Sequence, residues 1–292
     1  MPAQHLPARS RTRAAAFLGL LSLMRPLNGV IAVAGVFATG VIAGADSGMY
    51  RRLLLAGIAA FLLGSAGNIV NDLHDVAIDV INKPRRALAA GRVTRRAAIA
   101  WALVCAGTGI LCSVPLGPEA FGIAVASMAL MVLYSVSFKH IPLLGNATVG
   151  IVTGLAFIFA GYAAGNPAAG IVPGAFACAF NVARELLKDI EDMEGDGACG
   201  VRTFPLVHGT AATLALTSAI FAIIIAGSFV PWLLDLYSAR YLVIVVAGVD
   251  LVLAASAAIM WISPRRSTIA RLCTVLKFDM LVGMAAFMLG TK

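Results

Sequence analysis

The sequence predicts an all-α integral membrane protein: a bundle of about nine transmembrane helices in two pseudo-repeated halves. Three observations carry that expectation. Apolar residues make up 60% of the 292 and charged residues only 12%, with a mean hydropathy of +0.93, so polar surface is too scarce to cover a soluble globule of this length. The apolar residues fall into about nine stretches, each near the roughly 20 residues a helix needs to cross hydrocarbon. Short polar breaks divide them and leave no room for a separate soluble domain. Finally, one acidic pattern occurs twice, far apart in the chain.

The expected spans are 26–45, 53–71, 97–114, 119–138, 146–164, 168–187, 211–230, 241–262 and 270–290, within a single domain over 1–292 whose halves run over about 14–140 and 141–292. Ahead of them, Arg9, Arg11 and Arg13 precede an apolar run from Ala14 to Met24. Arg25-Pro26 stands where a secretory leader would carry a small-residue cleavage site, so the run reads as an amphipathic lead-in to the first span. With the amino terminus in the cytoplasm, that side collects Arg25, Lys83, Arg85, Arg86, Arg92, Arg95, Arg96, Lys139, Arg184, Lys188, Arg202, Arg265, Arg266 and Arg271 besides the leading arginines. The other side receives only Arg51, Arg52, Arg240 and Lys292. By the positive-inside rule this sets a multi-pass cell-membrane topology. The formal charge of +8 then reflects topology and contact with anionic membrane lipids, not nucleic-acid binding. Cys105, Cys112, Cys178, Cys199 and Cys273 form no Cys-x-x-Cys pair, and the four histidines are scattered. Neither pattern points to a nitrogen or sulfur metal site.

The acids are distributed very unevenly. Asp72, Asp75, Asp79, Glu185, Asp189, Glu191, Asp192, Glu194 and Asp196 lie in two short windows, leaving Asp46, Glu119, Asp235, Asp250 and Asp279 for the rest of the chain. Carboxylates near lipid are costly, about 2.5 to 3.5 kcal/mol each at mid-bilayer, so such grouping needs a physical reason. Asp72-x-x-Asp75-x-x-x-Asp79 and Asp189-x-x-Asp192-x-x-x-Asp196 share one D-x2-D-x3-D spacing, 117 residues apart. The repetition suggests an internally duplicated bundle with one cluster per half. The windows end the second and sixth spans, so both face the same side.

At about 100° per residue, positions 0, 3 and 7 of a helix fall in a stripe about 60° wide, so each triplet presents its carboxylates on one face. Two such charges at about 4 Å repel by about 4 kcal/mol at an effective dielectric near 20. Hard divalent cations relieve that repulsion. Magnesium takes one or two protein carboxylates plus phosphate oxygens, so opposed acid stripes can hold a diphosphate through two or more bridging ions. Asn68 and Asn71 share the turns of the first triplet and can orient ions or their waters. Lys83, Arg85 and Arg86 follow the first cluster and Arg202 the second, where a charged leaving group needs donors. Charged residues also gather at bilayer exits simply as solvated caps, and one window alone would not argue further. Two windows of identical spacing on one side do.

These residues resemble the UbiA superfamily of intramembrane prenyltransferases. Its N-D-x-x-D-x-x-x-D motif is matched by Asn71, Asp72, Asp75 and Asp79, and its D-x-x-x-D motif by Asp192 and Asp196. The text from Gly67 to Asp72, Ile81-Asn82-Lys83-Pro84 and Lys188 to Asp192 is similar to the archaeal ether-lipid branch, and the likeness runs from Arg25-Pro26-Leu27-Asn28 to Thr203-Phe204-Pro205. Nine helices is the family's usual count. Two departures stand out: Arg86-Ala87-Leu88 replaces the usual Arg-Pro-Leu, and the Tyr134–Lys139 segment follows a spacing that varies among branches.

The resemblance implies that Asp72, Asp75, Asp79, Asp192 and Asp196, supported by Asp189, bind Mg2+ and through it the diphosphate of an allylic prenyl donor. Arg25, Lys83, Arg86, Lys139 and Arg202 are the implied direct phosphate contacts. Asn28, Asn68 and Tyr134 are candidates for positioning the acceptor, although lone Asn and Tyr in membrane helices also serve simply as packing hydrogen-bonders. For the archaeal branch the acceptor is the hydroxyl of geranylgeranylglyceryl phosphate; for quinone-type relatives it is an aromatic ring carbon. Gly145, Gly150 and Gly154 offer a small-residue wall for the apolar tail, or equally a close helix packing. No protein partner is implied. A secondary transporter is the alternative from another class, but it would place its acids near mid-membrane. A phosphatidyl-type transferase would gather them in one window.

Overall fold

The computed structural model describes residues 13–292, and Arg9 and Arg11, counted in the charge asymmetry, lie outside them. The described residues form thirteen α-helical segments joined by short turns, 3-10 turns and one π-helical stretch. They are α1 (Arg13–Leu23), α2 (Pro26–Ile42), α3 (Tyr50–His74), α4 (Val76–Asn82), α5 (Arg95–Ser113), α6 (Pro118–Val136), α7 (Leu144–Ala163), α8 (Ile171–Ala198), α9 (Phe204–Ser228), α10 (Val230–Leu233), α11 (Ala239–Val245), α12 (Leu251–Ile262) and α13 (Arg266–Leu289). The π-helical turn Val246–Asp250 joins α11 to α12 in one span. Among the described residues, eight helical stretches are long and apolar enough to cross a membrane. The bent pair of α1 and α2, 43° apart, brings the number to nine. The chain is a multi-pass membrane protein.

Local chemistry sets the helix ends. Pro26 and Pro118 occupy first turns, where a missing N–H costs nothing. Thr94 caps α5 by accepting from the backbone N–H of Ala97. Gly200, at φ +73°, supplies the left-handed residue that stops α8. Large apolar side chains such as Leu103, Leu111, Ile223, Val243 and Leu251 remain exposed on the outer faces, as expected of helices that face lipid.

The interior comprises three packed clusters. One is built by α8, α9 and α11 to α13 around Leu187, Phe221, Tyr241, Leu253 and Leu276. A second joins α2, α3, α6 and α7 around Val36, Ala56, Ala120 and Ala160. The third packs α1 against α3 and α5 through Leu23, Ile69, Val93 and Ala98. Gly150 and Gly154 serve this packing, not a tail wall. A Cβ on Gly154 would come within 2.8 Å of the Gly174 carbonyl and one on Gly150 within 2.8 Å of the Cys178 carbonyl, so both glycines are spent on the approach of α7 to α8.

Each end of the bundle is tied by a long polar side chain. At one end Arg52 donates to the carbonyls of Ala163 (2.9 Å) and Leu116 (2.7 Å), satisfying helix carbonyls that have no intrahelical partner. The other end gathers the carboxyl ends of α3, α6 and α8 with the amino ends of α7 and α13, and there the acids lie.

Two helix boundaries differ from expectation in a way that matters for the site. The sixth span was expected to stop at 187, but α8 continues to Ala198. Glu, Asp, Lys and Met are compatible with a helix outside lipid, and nothing before Gly200 breaks it. The second triplet therefore lies within α8, as one stripe on a helix requires, though beyond the expected end of the span. The first triplet is divided: α3 stops at His74, Asp75 sits between helices at φ −89° and ψ 8°, and α4 restarts at Val76.

Candidate active site

The two acid windows face each other across a layer of basic side chains. Asp72 accepts from Arg25 at 2.5 Å and from Arg86 at 3.1 Å, and Arg86 also reaches both oxygens of Asp79 at 2.8 and 2.9 Å. Asp75 accepts from Lys139 Nζ at 2.5 Å and from Asn71 Nδ2 at 2.8 Å. Across the gap, Lys83 Nζ meets Asp192 at 2.6 Å. Asp189 is held by Asn146 Nδ2 at 2.8 Å, and Asp196 lies within charge–charge range of Lys139, Asp192, Asp75 and Lys83. Asp72, Asp75, Asp79 and Asp196 are all buried. Removing one base from such a pair would leave an uncompensated buried charge, which costs about 3 to 5 kcal/mol.

The folding of the first window explains its reach. Because the helix breaks at Asp75, α4 leans onto α8, and Asn82 at its end makes two contacts there. Its Nδ2 donates to the Asp192 carbonyl at 2.8 Å, and its Oδ1 accepts from the Gly195 N–H at 3.0 Å. Gly195 permits this approach, since a Cβ there would lie 2.5 Å from Asn82 Nδ2. Arg25 is set by backbone strain. It caps α2 in the left-handed region at φ 51°, which costs a non-glycine residue on the order of 1 kcal/mol. The ion pair to Asp72 offsets that strain and aims the guanidinium inward.

Burial is the main influence on Asp79. It pushes the carboxyl above its ordinary range, with Arg86 opposing and the charges of Asp72 and Asp75 reinforcing the rise. A carboxylate held in this state gains from a nearby cation. Among the described residues no three carboxylate, imidazole or thiol groups converge into a ready cation cage, because Arg25, Arg86, Lys139 and Lys83 each hold a carboxylate. The donor set nevertheless fits Mg2+: every group is a hard oxygen, and the Oδ1 atoms of Asn71, Asp192 and Asp196 are buried without a hydrogen-bond partner.

Of the remaining residues expected here, Tyr134 lies at the site. Its ring comes to 3.3 Å from where a Gly145 Cβ would stand, and it is within charge–charge range of Glu185, Asp189, Asp75 and Arg25. Asn68 makes one long contact, 3.5 Å, to the Met24 carbonyl, and so braces the hinge before Arg25. Asn28 makes no side-chain hydrogen bond among the described residues. Arg202 is exposed beyond α8 with no ion pair among them, apart from the cluster. Sequence reasoning missed Asn82, Asn146 and Arg266, which donates to Glu194 at 2.8 Å and to Asn82 at 3.3 Å. Asn146 had a signal, since it opens an apolar span as Asn28 does. Arg266, 184 residues from Asn82, had none.

Paired acids and bases at the end of a lipid-embedded bundle suit an intramembrane transferase that handles a phosphorylated leaving group. The likeness to known proteins makes that class specific. The model of the UbiA prenyltransferase family matches residues 30–281, so the chain belongs to that family and is an intramembrane prenyltransferase. It is 33% identical over 271 residues to the digeranylgeranylglyceryl phosphate synthase of Methanothermobacter thermautotrophicus, covering 93% of this chain and 95% of that protein. A solved structure described as digeranylgeranylglyceryl phosphate synthase superposes with a TM-score of 0.72 at 27% identity, over 94% of this chain and 98% of that one. A UbiA homolog from Archaeoglobus fulgidus bound to GPP and Mg2+ shares the fold with a TM-score of 0.66 at 15% identity, over 92% and 99% of the two chains. Family membership also sets aside the transporter alternative.

Proposed function

We propose that this chain transfers a geranylgeranyl group from its allylic diphosphate to the free hydroxyl of geranylgeranylglyceryl phosphate at the cytoplasmic face of the membrane. The observation that carries the reading is the pair of opposed acid windows with Arg25, Lys83, Arg86 and Lys139 between them. Asp72, Asp75, Asp79, Asp192 and Asp196, with Asp189 steadied by Asn146, hold two or more Mg2+ ions. When bound, Mg2+ neutralises the diphosphate and makes it a better leaving group. The four bases then exchange carboxylate for phosphate oxygens and stabilise charge on the departing group. The bond from the first prenyl carbon to the diphosphate oxygen breaks, its electron pair leaving with diphosphate, the acceptor oxygen bonds to that carbon, and the hydroxyl proton passes to water at the membrane surface.

The curated relatives' names support the glycerol-lipid acceptor, and Tyr134, within charge–charge range of Asp75, Asp189 and Arg25, is the leading candidate for orienting it. The basic excess at the acid-bearing end supports a cytoplasmic site. The repeated triplet supports one domain of two pseudo-repeated halves. The test is transfer of radiolabelled geranylgeranyl diphosphate by purified protein in lipid, with Mg2+ or EDTA, to geranylgeranylglyceryl phosphate and in parallel to 4-hydroxybenzoate. Mg2+-dependent product with the glycerol lipid alone is expected. Product with the aromatic alone would move the chain to quinone-type chemistry.

A further inference from the structure

A cavity of about 610 Å3 opens beside Asp72, beneath the end of α1 and the loop after α4, and its charged lining is one-sided. Arg25, Lys83, Arg85, Arg86 and Arg92 face it against the single carboxylate of Asp72. Three of those bases are engaged with the acid windows: Arg25 and Arg86 with Asp72 and Asp79, and Lys83 with Asp192. Arg85 and Arg92 are different. Both are exposed, and neither pairs with a carboxylate among the described residues. Nor are they loose charges on a solvated loop. Arg92 donates to the Arg85 carbonyl at 2.6 Å, its N–H donates to the Ala87 carbonyl at 2.8 Å, and Gly91 turns the chain at φ +66°. Ala87 and Val93 are buried on either side, against Gly19 of α1. The loop is therefore a fixed platform at the outer rim of the donor site, carrying two guanidinium groups without a carboxylate partner among the described residues.

Two forked donors that line one cavity, neither with a carboxylate partner among the described residues, are suited to a phosphate. The donor diphosphate is already provided for by the acid windows, their metal ions and the four bases between them, so a second anion is the natural occupant. We propose that Arg85 and Arg92 form a subsite for the phosphomonoester of the acceptor lipid and make the enzyme selective for a phosphorylated acceptor. The inference rests on the reading of the function given above and deepens it. In a glycerol 1-phosphate ether the free hydroxyl and the phosphate-bearing oxygen sit on adjacent carbons. A phosphate at the Arg85–Arg92 rim therefore directs the hydroxyl toward Asp72 and the donor, while the ether chain leaves into lipid past α1. The phosphate of an ordinary anionic bilayer lipid has the same chemistry, and the test separates the two.

Arg85→Gln, Arg92→Gln and the double variant are assayed in vesicles of purely zwitterionic lipid, and again with anionic lipid added. Loss of a charge-assisted contact predicts a KM for geranylgeranylglyceryl phosphate about 10- to 100-fold higher in the double variant, with the donor KM and kcat at saturation unchanged. The dephosphorylated acceptor, geranylgeranylglycerol, should be used equally poorly by wild type and variant. Equilibrium binding of radiolabelled geranylgeranylglyceryl phosphate without donor gives a readout independent of turnover. A donor KM that rises in parallel would overturn the subsite, because the arginines would then serve the diphosphate. So would an effect that appears only when anionic lipid is present, which would mark a bilayer contact. Wild-type turnover of this acceptor with no KM change in the variants removes the subsite and leaves the function. Arginine-dependent binding without turnover removes the function and leaves the subsite. Arg85→Gln alone guards against misfolding, since its side chain makes no hydrogen bond or ion pair among the described residues.

Discussion

The two acid windows have the same spacing and different backbones. In the first, the helix breaks at Asp75, and all three aspartates are buried and paired with bases: Arg25, Arg86 and Lys139. In the second, α8 runs unbroken through Asp189, Asp192 and Asp196. There, one aspartate meets a base, one meets an amide, and the buried Oδ1 atoms of Asp192 and Asp196 have no partner. A broken helix can direct three carboxylates and their flanking bases inward from several directions, whereas a straight one presents a fixed stripe. The comparison teaches that identical spacing does not mean identical duty. Among the described residues the first window has a base on every aspartate and keeps one unsatisfied oxygen, Asn71 Oδ1, whereas the second keeps two on its aspartates, Asp192 and Asp196, for a cation to take.

The largest effect should come from removing a carboxylate on either side. Asp75→Ala and Asp192→Ala are each expected to lower Mg2+-dependent turnover at least about 1,000-fold, in line with the loss of a metal-held charge at a developing leaving group. The protein should stay inserted and monodisperse. Near-normal turnover in both variants would break the idea of one site built from two windows. A loss confined to one would show that the straight and broken windows are not partners.

Next in size is Lys83, the base that crosses from the first window to the second. Lys83→Met is expected to reduce kcat/KM about 100-fold, mainly through the donor, because a charge-assisted contact to phosphate is lost along with the tie to Asp192. A change in acceptor KM alone would remove Lys83 from the donor site. Asn146 tests the second window from behind. It orients Asp189 and hydrogen-bonds to no base among the described residues, and outer contacts of this kind are worth about 10- to 100-fold in metal affinity. Asn146→Ala should therefore raise the Mg2+ concentration for half-maximal activity by about 10-fold, while activity at saturating Mg2+ largely recovers. Loss that excess Mg2+ cannot restore would place Asn146 in substrate handling instead.

Much of this was legible in the sequence because lipid is a strict solvent. Apolar length alone placed the spans, and the cost of carboxylates near hydrocarbon made their grouping visible without any structure. Lys83 and Arg86 were chosen as phosphate ligands by their position after the acids, Arg25 and Lys139 by the family resemblance, and the fold brings all four against the windows' carboxylates. Arg202, chosen for following the second window, is exposed after the Gly200 turn and has no ion pair among the described residues. What spacing could not show was the helix break at Asp75. No proline or glycine marks it, and the packing of α4 on α8 that goes with it joins residues far apart in the chain. The contact of Asn82 was hidden for the same reason: the residue stood in the family-like Ile81-Asn82-Lys83-Pro84, but its partners, Asp192 and Gly195, are 110 and 113 residues away.

That contact gives the smallest expected effect and the most direct test of how the two windows are joined. Gly195→Ala places a methyl 2.5 Å from Asn82 Nδ2, so the amide must leave its place and give up its bonds to the Asp192 carbonyl and the Gly195 N–H. At about 0.5 to 1.5 kcal/mol net for each hydrogen bond, the fold should lose about 1 to 3 kcal/mol. Turnover should fall a few-fold as α4 and Lys83 shift. Asn82→Ala alone should cost a similar amount, because it breaks the same two bonds without the clash. The double variant Asn82→Ala with Gly195→Ala is then the decisive member of the cycle. If the damage of Gly195→Ala runs through Asn82, the double variant should be no worse than Asn82→Ala, a clearly non-additive result. Additive losses in thermal unfolding and turnover would mean that glycine at 195 serves α8 itself, and that the broken window does not lean on the straight one through this seam.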